Sequence, residues 1–104
     1  MRFTGKIAVV TGAAQGIGAA IAKRLYDEGA LYVALLDLNE RKLQAAALGI
    51  DPTGARTGAH ACNVSKPESA QAVFLAIEQA HGRIDILVNN AGITRDAMLH
   101  KMTD

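Results

Sequence analysis

A doubly wound parallel α/β sheet, with four strands in the order 3-2-1-4, is the fold this sequence predicts. Short apolar, β-branched runs alternate with amphipathic helical runs along the chain, the pattern of parallel strands covered by helices on both faces. Glycines cluster at the first strand-to-helix junction, and each later helical run opens on a cap or Pro and closes on turn residues. Lys6–Thr11 (KIAVVT) is a buried first strand, and Gly16–Glu28 follows as a helix with Ile17, Ala20, Ile21 and Leu25 on one face. Lys23 points away from that face, Arg24 falls at its edge, and Gly29-Ala30 ends the helix. Tyr32–Asp37 (YVALLD) is the second strand, and Asn39 is placed to cap a helix from Glu40 to about Leu48. After the turn chemistry of GIDPTGAR, the run TGAHACNV (57–64) is the third strand, with Ser65 as cap and Pro67 in the first turn of a long helix. Ala70, Val73, Phe74, Ile77 and Ala80 form that helix's apolar stripe, Gly82 closes it, and Ile84–Asn90 (IDILVNN) is the fourth strand.

Size and composition narrow the class of protein. The 104 residues fit one domain, and half are hydrophobic while a fifth are charged, a globular rather than disordered balance. The net charge of +1, with Lys and Arg scattered, gives no electrostatic case for nucleic acid or an anionic membrane. There is no membrane-length apolar run and no signal-peptide pattern, and Cys62 is the lone cysteine, so the expectation is a cytoplasmic protein with Cys62 as a small core residue. His60, His81 and His100 lack metal-ligand spacing.

The glycine turn carries the functional signal. In VVTGAAQGIG, Gly12 lets the chain turn, Gly16 lets a diphosphate approach the backbone, and Gly18 lets the helix press on the sheet. A helix N-terminus favours an anion by roughly 0.3–1 kcal/mol, and more when partly buried. A tight turn without a ligand is the alternative, since the spacing G-x-x-x-G-x-G differs from the G-x-G-x-x-G dinucleotide fingerprint. The position between first strand and first helix, where open parallel sheets bind ligands, favours a ligand.

Asp37 ends the second strand nineteen residues past Gly18, the place of a ribose-binding acid. Hydrogen bonds from ribose hydroxyls to a carboxylate are worth roughly 1.5–3 kcal/mol. A 2′-phosphate about 4 Å away would be repelled by about 4 kcal/mol at an effective dielectric near 20. Gln15 cannot neutralise that phosphate, so NAD is favoured over NADP; the alternative is that Asp37 is a solvated turn residue.

TGAAQGIG (Thr11–Gly18) together with NNAG (Asn89–Gly92) resembles the short-chain dehydrogenase/reductase family, over the whole chain from Thr4 onward. The tail NNAGITRDAMLHKMTD is most similar to its 3-oxoacyl-[acyl-carrier-protein] and acetoacetyl-CoA reductases. The resemblance implies that Gly12, Gln15, Gly16, Ile17 and Gly18 line the pyrophosphate and the nicotinamide-side ribose. It implies that Asn63 and Val64 meet the adenine, where many relatives have Asp-Val, and that an Asn oxygen still accepts from the adenine amine. Asn90, Ala91 and Gly92 would pass beside the adenosine ribose, and Asn89 would tie the central strands together. Reductases of this type commonly use NADPH and lack the acid, so Asp37 and Gln15 are departures that fit a dehydrogenase of hydroxyacyl or other secondary-alcohol substrates.

The family's catalytic Ser and Tyr-x-x-x-Lys lie well downstream of NNAG. Here Tyr26 and Tyr32 are followed four residues on by Ala30 and Leu36, and no Ser follows Asn90, so the catalytic set is absent. Thr94, Arg95 and Asp96 would lie either near a substrate cleft or in a solvated loop. Thr103-Asp104 reads as the start of a helix, and the fourth strand as a bare sheet edge. The expectation is therefore that residues 1–104 are the dinucleotide-binding half of a Rossmann-type domain, part of a longer NAD(P)-dependent enzyme. That enzyme would take a small-molecule or acyl-thioester substrate and form a homo-oligomer. The alternative is an inert dinucleotide-binding or structural fragment.

Overall fold

The computed structural model describes residues 3–63, 66–90 and 98–101, the last four as backbone. The elements run β1 (Ile7–Thr11), α1 (Gly16–Asp27), β2 (Tyr32–Asp37), α2 (Glu40–Ile50), β3 (Thr57–Ala61), α3 (Pro67–His81), β4 (Ile86–Asn89) and β5 (Met98–Lys101). The sheet order is β3-β2-β1-β4-β5, with β1 to β4 parallel in the expected 3-2-1-4 order.

Alternation along the strands builds two cores. Ala8 and Val10 of β1, with Val33 and Leu35 of β2, face α1 and α2 and pack on Ala22, Leu25, Leu43 and Ala47. Ile7, Val9, Ala34 and Leu36 point the other way and pack on Ile77 of α3. Both faces of the central strands are covered, which is why these runs are apolar without polar interruption.

Several boundaries and faces differ from the sequence reading. β3 ends at Ala61 rather than 64 because Ala61 pairs with Asp37, the last residue of β2, and the partner strand runs out. α2 continues past Leu48 to Ile50, with Asp51 closing it through a bond from its amide to the Ala47 carbonyl. Asn39 caps α2 as expected, its side chain accepting from the Lys42 amide at 3.0 Å. The cap position of α3 belongs to Lys66, and Ser65 lies outside the described residues.

α1 buries Gly18, Ala22 and Leu25, while Ile17 is 71% exposed and Ala20 is exposed. The close approach of Gly18 to β1 sets the rotation of the helix, so its inward face runs 18, 22, 25 and leaves Ile17 outside. On α3, Ala80 is exposed, because the stripe continues from Ile77 to His81 four residues on. His81 stacks on the Tyr32 ring, with centroids 4.0 Å apart. The Tyr32 hydroxyl shares a 3.1 Å hydrogen bond with His60 Nε2, and burial, assisted by the nearby His81, lowers the His60 pKa from its ordinary value. Cys62 is half-buried against this second core rather than inside it, and desolvation raises its thiol pKa.

The fourth strand is not a bare edge. β5 pairs antiparallel with it, Ile86 opposite Lys101 and Asn89 opposite Met98. An uncovered row of amides and carbonyls on β4 is a template for such pairing. The helix start read at Thr103-Asp104 lies outside the described residues. No helix among the described residues is long and apolar enough to cross a membrane, and no group of three or more His, Cys, Asp or Glu among them could hold a metal ion.

Candidate functional site

At the carboxyl end of β1 the chain leaves the sheet through Gly12 and enters α1 at Gly16, with φ of 63° and 64° at these two glycines. Both values lie in the left-handed region, open to glycine and costly to other residues by about 1–2 kcal/mol. A Cβ on Gly16 meets nothing within 4 Å, so its side of the turn is open space. A Cβ on Gly18 would run into the Gly12 carbonyl and sit 2.9 Å from Asn90 Nδ2. The two glycines thus have separate roles, one leaving room outside the turn and the other allowing the helix onto the strand.

Gln15 occupies the N-cap of α1 in extended conformation and makes no side-chain capping bond. Its amide oxygen instead accepts from Lys42 Nζ at 3.2 Å, bridging to α2. The N-terminus of α1 therefore retains its donor character, as anion sites at helix ends require.

Asp37 reaches this turn. Its Oδ2 accepts from the Ala14 amide at 3.0 Å, and its Oδ1 accepts from the Leu38 and Asn39 amides at 2.7 and 3.4 Å. The Ala13 amide donates to the Leu36 carbonyl at 3.1 Å, so β2 holds the turn by main chain and side chain together. Two carboxylate oxygens offer about four acceptor positions, leaving capacity for a further donor. Asp37 is thereby neither an isolated solvated residue nor directed away from the glycines.

On the other side, β4 delivers Asn89 and Asn90. The Thr11 hydroxyl lies 3.2 Å from Asn89 Oδ1 and 3.4 Å from the Val88 carbonyl, both within donating range. Thr11 Oγ1 accepts the Asn90 amide at 2.8 Å, and Asn90 Nδ2 donates to the Gly12 carbonyl at 3.4 Å. These bonds join β4 to the end of β1, the tie expected of Asn89. Asn63 follows β3, where the Cys62 amide donates to the Asp37 carbonyl at 2.9 Å; its own amide donates to Ser69 Oγ at 3.3 Å.

The structure thus assembles Gly12, Gln15, Gly16, Ile17, Gly18, Asp37 and Asn90 around one turn, with Asn63 at the end of the neighbouring strand. Val64, Ala91, Gly92, Thr94, Arg95 and Asp96 lie outside the described residues. The sequence reading missed Lys42, whose signal was its position three residues past the Asn39 cap. It also missed Leu38, 69% exposed beside Asp37. A separate groove of about 230 Å³ between α2 and β3, lined by residues such as Gln44, Leu48 and Gly58, contains none of these site residues.

The chain is similar to known proteins in sequence and in fold. Over 104 residues the chain is 45% identical to the 3-oxoacyl-[acyl-carrier-protein] reductase FabG of Vibrio cholerae, all of this chain against 41% of that protein. It is 45% identical to a D-threitol dehydrogenase of Mycolicibacterium smegmatis, with 98% of this chain and 39% of that protein covered. A metagenomic short-chain oxidoreductase solved in complex with NADP superposes with a TM-score of 0.81 at 43% identity, covering 89% of this chain and 42% of that one. An NAD+-bound xylitol dehydrogenase gives 0.82 at 36% identity, over 89% and 35%. The chain spans about two fifths of the length of the curated relatives it matches. Residues 6–104 match the family model described as short chain dehydrogenase, and with the Rossmann-like sheet and the glycine turn in place, the chain belongs to the short-chain dehydrogenase family.

Proposed function

We propose that the chain is the cofactor-holding part of an NAD(P)-dependent oxidoreductase, with the glycine turn gripping the diphosphate of a nicotinamide dinucleotide and Asp37 meeting the adenosine ribose. The observation that carries this reading is the 3.0 Å bond from the Ala14 amide to Asp37 Oδ2, which brings the ribose-type acid to the anion-type turn. The residues fit the group: the space beside Gly16 admits a diphosphate, and the uncapped α1 N-terminus supplies donors. Asn63 and Val64 are assigned to the adenine, and Asn90, Ala91 and Gly92 to the ribose flank. Ile17, exposed at the mouth, supplies an apolar wall on the nicotinamide side.

When bound, the cofactor supplies a hydride to a carbonyl carbon or accepts one from a secondary alcohol. A 3-oxoacyl/3-hydroxyacyl or similar substrate is the class we assign, supported by the likeness to FabG. No Tyr-x-x-x-Lys occurs in these 104 residues, so this chain by itself is expected to bind cofactor without turnover. A homo-oligomer is proposed for the complete enzyme.

Asp37 favours NAD over NADP, because its carboxylate would face a 2′-phosphate at the same ribose. Solved relatives occur with each cofactor, so the chain's own residues must decide. Fluorescence titration should give tighter binding of NADH than NADPH, and Asp37→Ala should narrow that gap by about tenfold, the factor that 1.4 kcal/mol represents. Tighter NADPH binding by the unaltered chain would overturn the assignment. Hydride transfer to acetoacetyl-CoA by the purified chain would overturn the expected inactivity.

A further inference from the structure

Asp37 and Lys42 place opposite charges on consecutive residues of the glycine turn. The carboxylate of Asp37 accepts from the Ala14 amide, and the ammonium of Lys42 donates to the Gln15 side chain at 3.2 Å. One short hydrogen-bonded segment carries both groups. Asp37 Oδ1 accepts from the Leu38 and Asn39 amides, and Asn39 in turn caps the Lys42 amide. Lys42 therefore rises from the first turn of α2, five residues past Asp37 at the end of β2. An ammonium has three N–H donors, and Gln15 takes one.

We propose that Lys42 is a specificity-determining residue of the adenosine-ribose subsite, meeting a 2′-phosphomonoester with its ammonium and so offsetting the repulsion from Asp37. This rests on the reading of the glycine turn as the diphosphate site. Gln15 holds the ammonium beside the turn that also takes the Asp37 carboxylate, so the ribose of a dinucleotide seated there would come within reach of both charges. The chain then discriminates between the two cofactors less sharply than Asp37 alone would impose.

The test compares NAD+ and NADP+, which differ only in the 2′-phosphate, by calorimetric titration of the 104-residue chain at low salt. Lys42→Ala should weaken NADP+ about fivefold, the upper range for an exposed charge pair, and leave NAD+ within about twofold. Added salt should shrink the difference in NADP+ affinity between the unaltered chain and Lys42→Ala. Arg41→Ala removes the same charge one residue away on α2 and should leave the NADP+ to NAD+ ratio unchanged within about twofold. Thermal melting of each variant reports whether the fold is retained. Equal weakening of both cofactors by Lys42→Ala, an equal effect of Arg41→Ala, or no effect of Lys42→Ala would each overturn the role of Lys42. Failure of the unaltered chain to bind either cofactor would instead overturn the diphosphate reading, and this proposal with it.

Discussion

Gly18→Val should destabilise the chain by about 1–3 kcal/mol, the usual cost of forcing atoms into a packed contact. The added atoms would press on the Gly12 carbonyl and Asn90 Nδ2. Relief requires α1 to move off β1, which also displaces the amides at the head of the helix. Cofactor affinity should therefore fall by at least about tenfold, a further 1.4 kcal/mol. Gly49→Ala is the matched control, since Gly49 lies inside α2 with nothing within 4 Å of an added Cβ. That change should stabilise by about 0.5–1 kcal/mol through helix propensity and leave binding alone. Urea unfolding and NADH titration of the two variants check both halves. Unimpaired binding by Gly18→Val would show that the close approach of α1 to the strand has no bearing on the cofactor.

Asp85→Ala should remove about 1–3 kcal/mol of stability, because it strands the buried Ile7 amide and takes away the carboxylate that anchors the half-exposed Arg83. The Asp85 side chain is 2% exposed, and Arg83 Nε donates to its two oxygens at 2.9 and 2.7 Å. Its Oδ2 also accepts the Ile7 amide at 2.8 Å, 78 residues away in sequence, and the Asp85 amide donates back to the Ile7 carbonyl at 2.8 Å. The start of β1 is thus locked to the approach of β4. For a domain whose total stability is about 5–15 kcal/mol, the loss is a large fraction. Asp85→Asn retains an acceptor for the Ile7 amide and should cost less than Asp85→Ala. A loss below about 1 kcal/mol for Asp85→Ala, measured by urea unfolding, would show that the lock contributes little.

The sheet order was legible because buried parallel strands leave few topologies once the β-α alternation is recognised. The rotation of α1 was not. Ile17 and Ile21 look equally suited to the core by periodicity, and only the contact of Gly18 with Gly12 decides that Ile17 faces out. Similarly, the length of β3 depends on where its partner β2 stops at Asp37, a non-local fact. β5 was missed because MLHK carries no strand periodicity of its own, and its pairing answers the open edge of β4. At the site, Gly12, Gly16, Gly18 and Asp37 stood out through residue type and spacing. Lys42 is one charged residue among several on α2, and its bond to Gln15 becomes visible only when the two helices are brought together.

In the proposed cofactor site, main-chain amides at the head of α1 hold a diphosphate while Asp37 touches the adjoining ribose. Titration of the 15N-labelled chain with NAD+, followed by amide chemical shifts, tests this most directly. The largest changes should fall on Ala14 and on Gly16 to Gly18, with Asp37 among the affected residues. Saturating NAD+ that leaves these amides unmoved, or moves only those lining the groove between α2 and β3, would contradict it.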